Sequence, residues 1–125
     1  MAKATPDAVL DLILTDIALS SILHVCSGEP ANYAGIAAVS LASVVLTPGD
    51  GNGDFVIADH TSGRKITVSQ QADIDIVTSG TATHIALAVT ASSTLKQVTT
   101  CTSQALVDTG TVTVPAYIIS VADPT

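Results

Sequence analysis

Residues 47–60, TPGDGNGDFVIADH, hold the best-spaced candidates for chemistry in this chain. Asp50, Asn52 and Asp54 recur at every second position. That is the spacing at which an EF-hand-type loop offers its first three oxygen ligands. Such a loop also needs a glycine at its sixth position for the sharp turn and a glutamate at its twelfth to close the shell. Counted from Asp50, those places hold Phe55 and Thr61. Glycine and asparagine tolerate positive φ, so the stretch reads as a hairpin loop between a strand ending before Pro48 and one starting at Phe55. No metal is expected. Asp50, Asn52 and Asp54 are the candidate ligands if a cation binds at all.

The other reactive residue types are scattered. His24, His60 and His84 show no pair at zinc-ligand spacing and read as hydrogen-bonded structural histidines. A nucleophile needs an adjacent base and an orienting group. Cys101, His84 and Asp59 can be assembled into a triad only on paper. No Gly-x-Ser-x-Gly elbow occurs, and no glycine-rich phosphate loop leads into a helix. Asp73 and Asp75 point the same way from one strand, as a solvated face would require. No catalytic residue and no cofactor are expected, and the chain reads as a non-enzyme.

The elements that would position these residues follow from periodicity. Thr5, Pro6 and Asp7 form a helix start, with Thr as cap and Pro in the first helical position. Leu10, Ile13, Leu14 and Ile17 then recur at helical spacing, with Asp11 and Asp16 off the stripe. This predicts one helix over about residues 5–20. From there the period drops to two. Strands are expected at 22–26, 37–46, 55–59, 64–69, 72–77, 81–90, 95–101 and 111–121, with a loop at 31–36 and Pro115 marking an edge or bulge. Both faces of 81–90 are uncharged, as in a central strand covered on both sides. The expected fold is mostly β: an antiparallel sandwich or barrel of about seven to nine short strands with one N-terminal helix. One domain spans residues 1–125, with the β-part over about 21–122.

Composition narrows the function classes. Only 12% of the residues are charged, against about 25% in ordinary soluble domains. No apolar run approaches the roughly 18 residues of a membrane span, and residues 1–3 do not begin a secretory signal. Sparse charge suits a surface covered by neighbouring subunits; abundant Ser and Thr could equally keep it wet. Eleven acidic residues against four basic ones give a net charge of −7, which disfavours nucleic acid. One Phe, two Tyr and no Trp leave little for stacking on bases or sugars. Cys26 and Cys101 can form at most one disulfide; free, buried thiols are favoured.

Four motifs appear in order: Cys26-Ser27-Gly28-Glu29-Pro30-Ala31-Asn32-Tyr33, Ser62-Gly63-Arg64-Lys65, Gly80-Thr81-Ala82-Thr83-His84 and Asp123-Pro124. With the N-terminal helix, their sequence resembles a family of small structural proteins of tailed bacteriophages. The resemblance spans nearly the whole chain and implies a virion role without catalysis. The expected function is a capsid decoration, or cement, protein on the outer capsid surface, located in the virion. Its partners would be the major capsid protein or other virion proteins and further copies of itself as a homotrimer, with no nucleic acid and no membrane. The alternatives are a neck, tail or baseplate component, and a carbohydrate- or peptide-binding module. Interface candidates are Pro30, Asn32, Tyr33, Asp50, Asn52, Arg64 and Lys65. The last two, half the chain's positive charge, read either as a solvated hairpin or as a pair facing an acidic patch of the capsid.

Overall fold

Period-two patterning governs the observed architecture, a computed structural model in which residues 5–122 are described. The expected Asp123-Pro124 motif lies outside the described residues. Helix α1 (Asp7–Ala18) comes first, followed by β1 (Ile22–Cys26), a second helix α2 (Tyr33–Val39) and β2 (Ser40–Val45). Seven strands follow: β3 (Phe55–Asp59), β4 (Arg64–Val68), β5 (Gln71–Asp75), β6 (Gly80–Val89), β7 (Thr94–Leu106), β8 (Thr111–Val114) and β9 (Tyr117–Val121). All strand pairs are antiparallel. They form sheets of order β2-β1-β6-β7, β3-β4-β9 and β5-β8. The fold is the expected one, mostly β and sandwich-like with an N-terminal helix.

The small sheet links the other two. Ala42 of β2 bridges to Ile76 just beyond β5, and Val77 N donates to Leu41 O at 2.9 Å. Pro115 and Ala116 carry the chain from β8 directly into β9. Pro115 therefore divides the expected final strand in two, because it has no N–H to continue a ladder. Inward residues of all three sheets meet in one cluster that includes Leu23, Leu41, Phe55, Ile66, Ile74 and Leu87. Strand β5 shows the expected alternation, with Ile74 and Ile76 buried and Asp73 and Asp75 exposed. Strand β6 lies between β1 and β7, with Ala86 and Ala88 as inaccessible as Leu87. Its register shifts between Ala82 and His84, and Ala82 joins Ile85 in the core rather than facing away with His84.

Three local expectations are corrected. In α1, Leu10, Leu14, Ile17 and Ala18 are buried, but Ile13 is 52% exposed. The helix lies against the β-domain through a narrower stripe than the periodicity suggests. Its N-cap is Pro6, without a side-chain cap hydrogen bond, instead of Thr5. The expected loop and strand start at 31–39 instead contain α2. Asn32 caps that helix by accepting from Gly35 N at 2.9 Å, and the helix covers the β1 face opposite the core, with Ile36 buried.

One turn position admits only glycine. Gly63, in the β3–β4 turn, has φ +78°, and a Cβ there would run into Val121 O. That close approach lets β9 pair along the full length of β4.

Candidate functional site

The Asp50–Asn52–Asp54 loop has a structural use for its oxygens. Gly49, Gly51 and Gly53 all have positive φ, so the chain turns sharply at each alternate residue. Asp50 Oδ1 accepts from Ile57 N at 2.9 Å. Asn52 Nδ2 donates to Pro48 O at 2.8 Å. Asp54 accepts from Thr47 N at 2.6 Å, Ser69 Oγ at 2.8 Å and Gln71 Nε2 at 3.0 Å. Burial works against a charged Asp54, but those donors outweigh it and hold its carboxyl below the usual range. The three side chains point to different backbone and hydroxyl partners instead of converging. Among the described residues, no three His, Cys, Asp or Glu side chains are grouped to hold a metal ion.

The Arg64–Lys65 pair does not make one basic patch. Neighbours on a strand face opposite sides, and Arg64 lies on the Ile66 and Val68 side, toward α1. Its Nε donates to Asp11 Oδ1 at 2.7 Å and its Nη2 to Asp11 Oδ2 at 3.3 Å, while Nη1 pairs with Asp59. These hydrogen bonds raise its already high pKa. Lys65 forms no ion pair among the described residues. Arg64 is thus engaged within the chain by two acidic residues. Lys96 of β7 pairs likewise with Asp16 of α1 at 3.0 Å. Both helix acids that periodicity placed off the buried stripe therefore tie α1 to strands.

The first motif separates in the same manner. Pro30 is buried and offers no contact surface, whereas Asn32 is exposed and capping α2. Tyr33 lines a small hollow of about 120 Å³ with His24, Ile36 and Ala37. His24 Nδ1 lies 2.9 Å from Ser40 Oγ, and burial lowers the His24 pKa. Cys26 and Cys101 are both free thiols. Burial, and then the proximity of Cys101, pushes the Cys26 thiol up to about 11. Burial also raises Cys101.

No hydrogen bond joins the paper triad. His84 Nδ1 is paired with Thr83 Oγ1 at 2.8 Å, Asp59 is bound by Arg64 in another sheet, and Cys101 lies on β7.

Two surfaces escaped the sequence reading. The outer side of α1 exposes Val9, Leu12, Ile13 and Leu19, between 50% and 68% accessible. The second is a cleft of about 470 Å³ between residues 99–104 of β7 and residues 112–118 of β8 and β9. Pro115 and the uncharged run 97–107 were its visible traces, but neither says that the two segments face each other.

What fold and surfaces define together is a mostly β, sandwich-like protein in which Asp54, Arg64 and Lys96 are engaged in holding the fold. Among the described residues no helix is long and apolar enough to cross a membrane. Comparison with known proteins found no match to a protein-family model, a curated protein or a solved structure.

Proposed function

We propose that this chain is a non-enzymatic structural protein of a tailed-bacteriophage virion, a cement subunit that binds the outer face of the capsid and stabilises the head. The observation that carries the proposal is the apolar outer side of α1, where Val9, Leu12 and Ile13 stand at helical spacing in solvent. Exposed apolar side chains grouped on one element mark surfaces that another subunit covers. The order of the four sequence motifs and the low charge support the same reading. A net charge of −7 suits the outside of the shell, away from packaged DNA.

In this role the chain forms a trimer, and α1 supplies part of the contact between copies. Asn32, Lys65 and the loop tip at Asp50 and Asn52 are accessible elements for the capsid side. Many modest contacts repeated over a closed lattice give avidity that no single contact supplies. Removing the protein from the phage and heating the particles tests the proposal. Cement predicts DNA-filled heads that assemble and then burst at lower temperature than the parent. Full heads that never join tails would assign the chain to the neck, and intact particles that cannot adsorb would assign it to host recognition. Light scattering of the purified protein at micromolar concentration tests the trimer; a clean monomer would remove the self-assembly part.

A further inference from the structure

An asparagine amide followed by glycine is chemically labile, because glycine has no Cβ to hold its own backbone nitrogen away from the preceding side chain. The chain has two asparagines, Asn32 and Asn52, and the fold treats them oppositely. Asn32 precedes Tyr33, the first residue of α2, and its Oδ1 accepts from Gly35 N at 2.9 Å. That bond locks the side chain as a helix cap. Asn52 precedes Gly53 at the exposed tip of the loop between β2 and β3.

The surroundings of Asn52 leave the reaction open. Among the described residues, Gly53 N donates no hydrogen bond. A Cβ placed on Gly53 would meet nothing within 4 Å, so no neighbour restrains the chain there. Gly51 and Gly53 flank Asn52 with φ of +80° and +117°, and glycine rotates at little steric cost. The Asn52 amide is held by a single bond, Nδ2 to Pro48 O at 2.8 Å. Nδ2 also lies directly over Gly49, where a Cβ would collide with it. Gly49 N in turn donates to Ala18 O at 2.8 Å, at the end of α1. The amide thus braces a loop that is anchored to the helix.

We propose that Asn52-Gly53 is a self-modification site, at which the folded protein converts one amide of this loop to a carboxylate. Gly53 N loses its proton to solvent base and attacks Asn52 Cγ. The bond from Cγ to Nδ2 breaks, and the nitrogen takes up a proton from water and leaves as ammonia. The product is a five-membered succinimide. Water then opens the ring, at Cγ to give isoaspartate's alternative, aspartate, when the backbone bond is restored, or at the backbone carbonyl carbon to give isoaspartate. The net reaction consumes one water and releases one ammonia. Either product loses the donor to Pro48 O and sets a third carboxylate between Asp50 and Asp54. Isoaspartate also lengthens the backbone by one carbon. The inference holds whether or not the chain belongs to a virion.

Incubation of the folded full chain in warm, mildly alkaline buffer, followed by proteolysis and mass spectrometry, tests it. The peptide containing residue 52 should gain the mass difference between an amide and an acid at least about tenfold faster than the peptide containing residue 32. Isoaspartate should be among the products. Asn52→Gln, which would need a six-membered ring, should lose the mass gain. Asn52→Asp should lower Tm by about a degree or two through the lost brace. Deamidation of Asn52 in urea but not in the folded protein overturns the inference, because the loop then shields the amide. Equal rates at residues 32 and 52 overturn the contrast between cap and tip. Aspartate without isoaspartate overturns attack by Gly53 N, because direct hydrolysis of the side chain yields aspartate alone. An unchanged Tm in Asn52→Asp overturns the bracing role.

Discussion

Arg64 and Asp11 are 53 residues apart in sequence and share two hydrogen bonds, Nε to Oδ1 at 2.7 Å and Nη2 to Oδ2 at 3.3 Å. The fork of a guanidinium matches both oxygens of a carboxylate, which fixes orientation as well as distance. The pair pins α1 to β4. Arg64→Ala and Asp11→Ala should each lower Tm by a few degrees, and the double variant should lose less than the sum. The coupling should shrink as salt is raised. Strictly additive losses would show that the pair does not anchor the helix.

Leu14 and Ile13 are adjacent and should behave oppositely. Leu14 is inaccessible within the core and Ile13 is half exposed. Leu14→Ala should cost about 2–5 kcal/mol, while Ile13→Ala in monomeric protein should fall within about 0.5 kcal/mol. Urea denaturation measures both. Similar losses would contradict the placement of α1.

Asp54 organises its loop through Thr47 N, Ser69 Oγ and Gln71 Nε2, so excess chelator should leave Tm unmoved. A drop restored by calcium would overturn this. Asp54→Ala removes three donors' common acceptor and should cost about 1–2 kcal/mol near neutral pH. The pH dependence follows from the lowered folded pKa. The stabilisation is present above the unfolded pKa and is lost as pH falls through the folded one. Denaturation from about pH 6 to about pH 3 should therefore show a shallower acid decline in Asp54→Ala than in the parent.

The two thiols should differ in reactivity. Cys26 is inaccessible and its pKa is raised to about 11, whereas Cys101 is partly exposed. The thiolate is the reactive form. A disulfide reagent at mildly alkaline pH should label Cys101 slowly in the native protein and Cys26 only after unfolding. Cys101→Ser should abolish native-state labelling. Equal rates would mean that β1 opens far more readily than its burial implies.

Gly63→Ala should be among the most damaging single changes in a turn. It combines a positive φ with a Cβ directed into Val121 O. A cost of about 2–4 kcal/mol is expected from strain and displaced β9 pairing. A fully retained Tm would show that the β4–β9 register can shift.

The share of this architecture visible in sequence is the share set by local periodicity. Strand β3, the buried Ile74 of β5 and the buried Ile76 just beyond it were legible because a strand repeats every two residues and one face must be dry. Helix α1 was legible from Leu10, Leu14 and Ile17. Helix α2 was not, because YAGIAAV has the small and branched residues of a strand, and its formation depends on the Asn32 cap and on packing against β1. Asp50, Asn52 and Asp54 stood as candidate ligands only by their spacing, because residue type and spacing do not reveal which way a carboxylate points. Asp54 turns to Thr47 N, Ser69 and Gln71 only once the loop closes.

By itself the sequence determined the mostly β class, the sparse charge and the turns at Gly49–Gly53, since each follows from a residue's own backbone preference or from polarity. The tertiary structure alone decided that Arg64 is held by Asp11 and Asp59, that Pro30 is covered, and that residues 99–104 and 112–118 line one cleft. Those relationships join residues far apart in the chain. They depend on how three sheets and a helix close around one core, and no local pattern encodes which strand edges that closure leaves free.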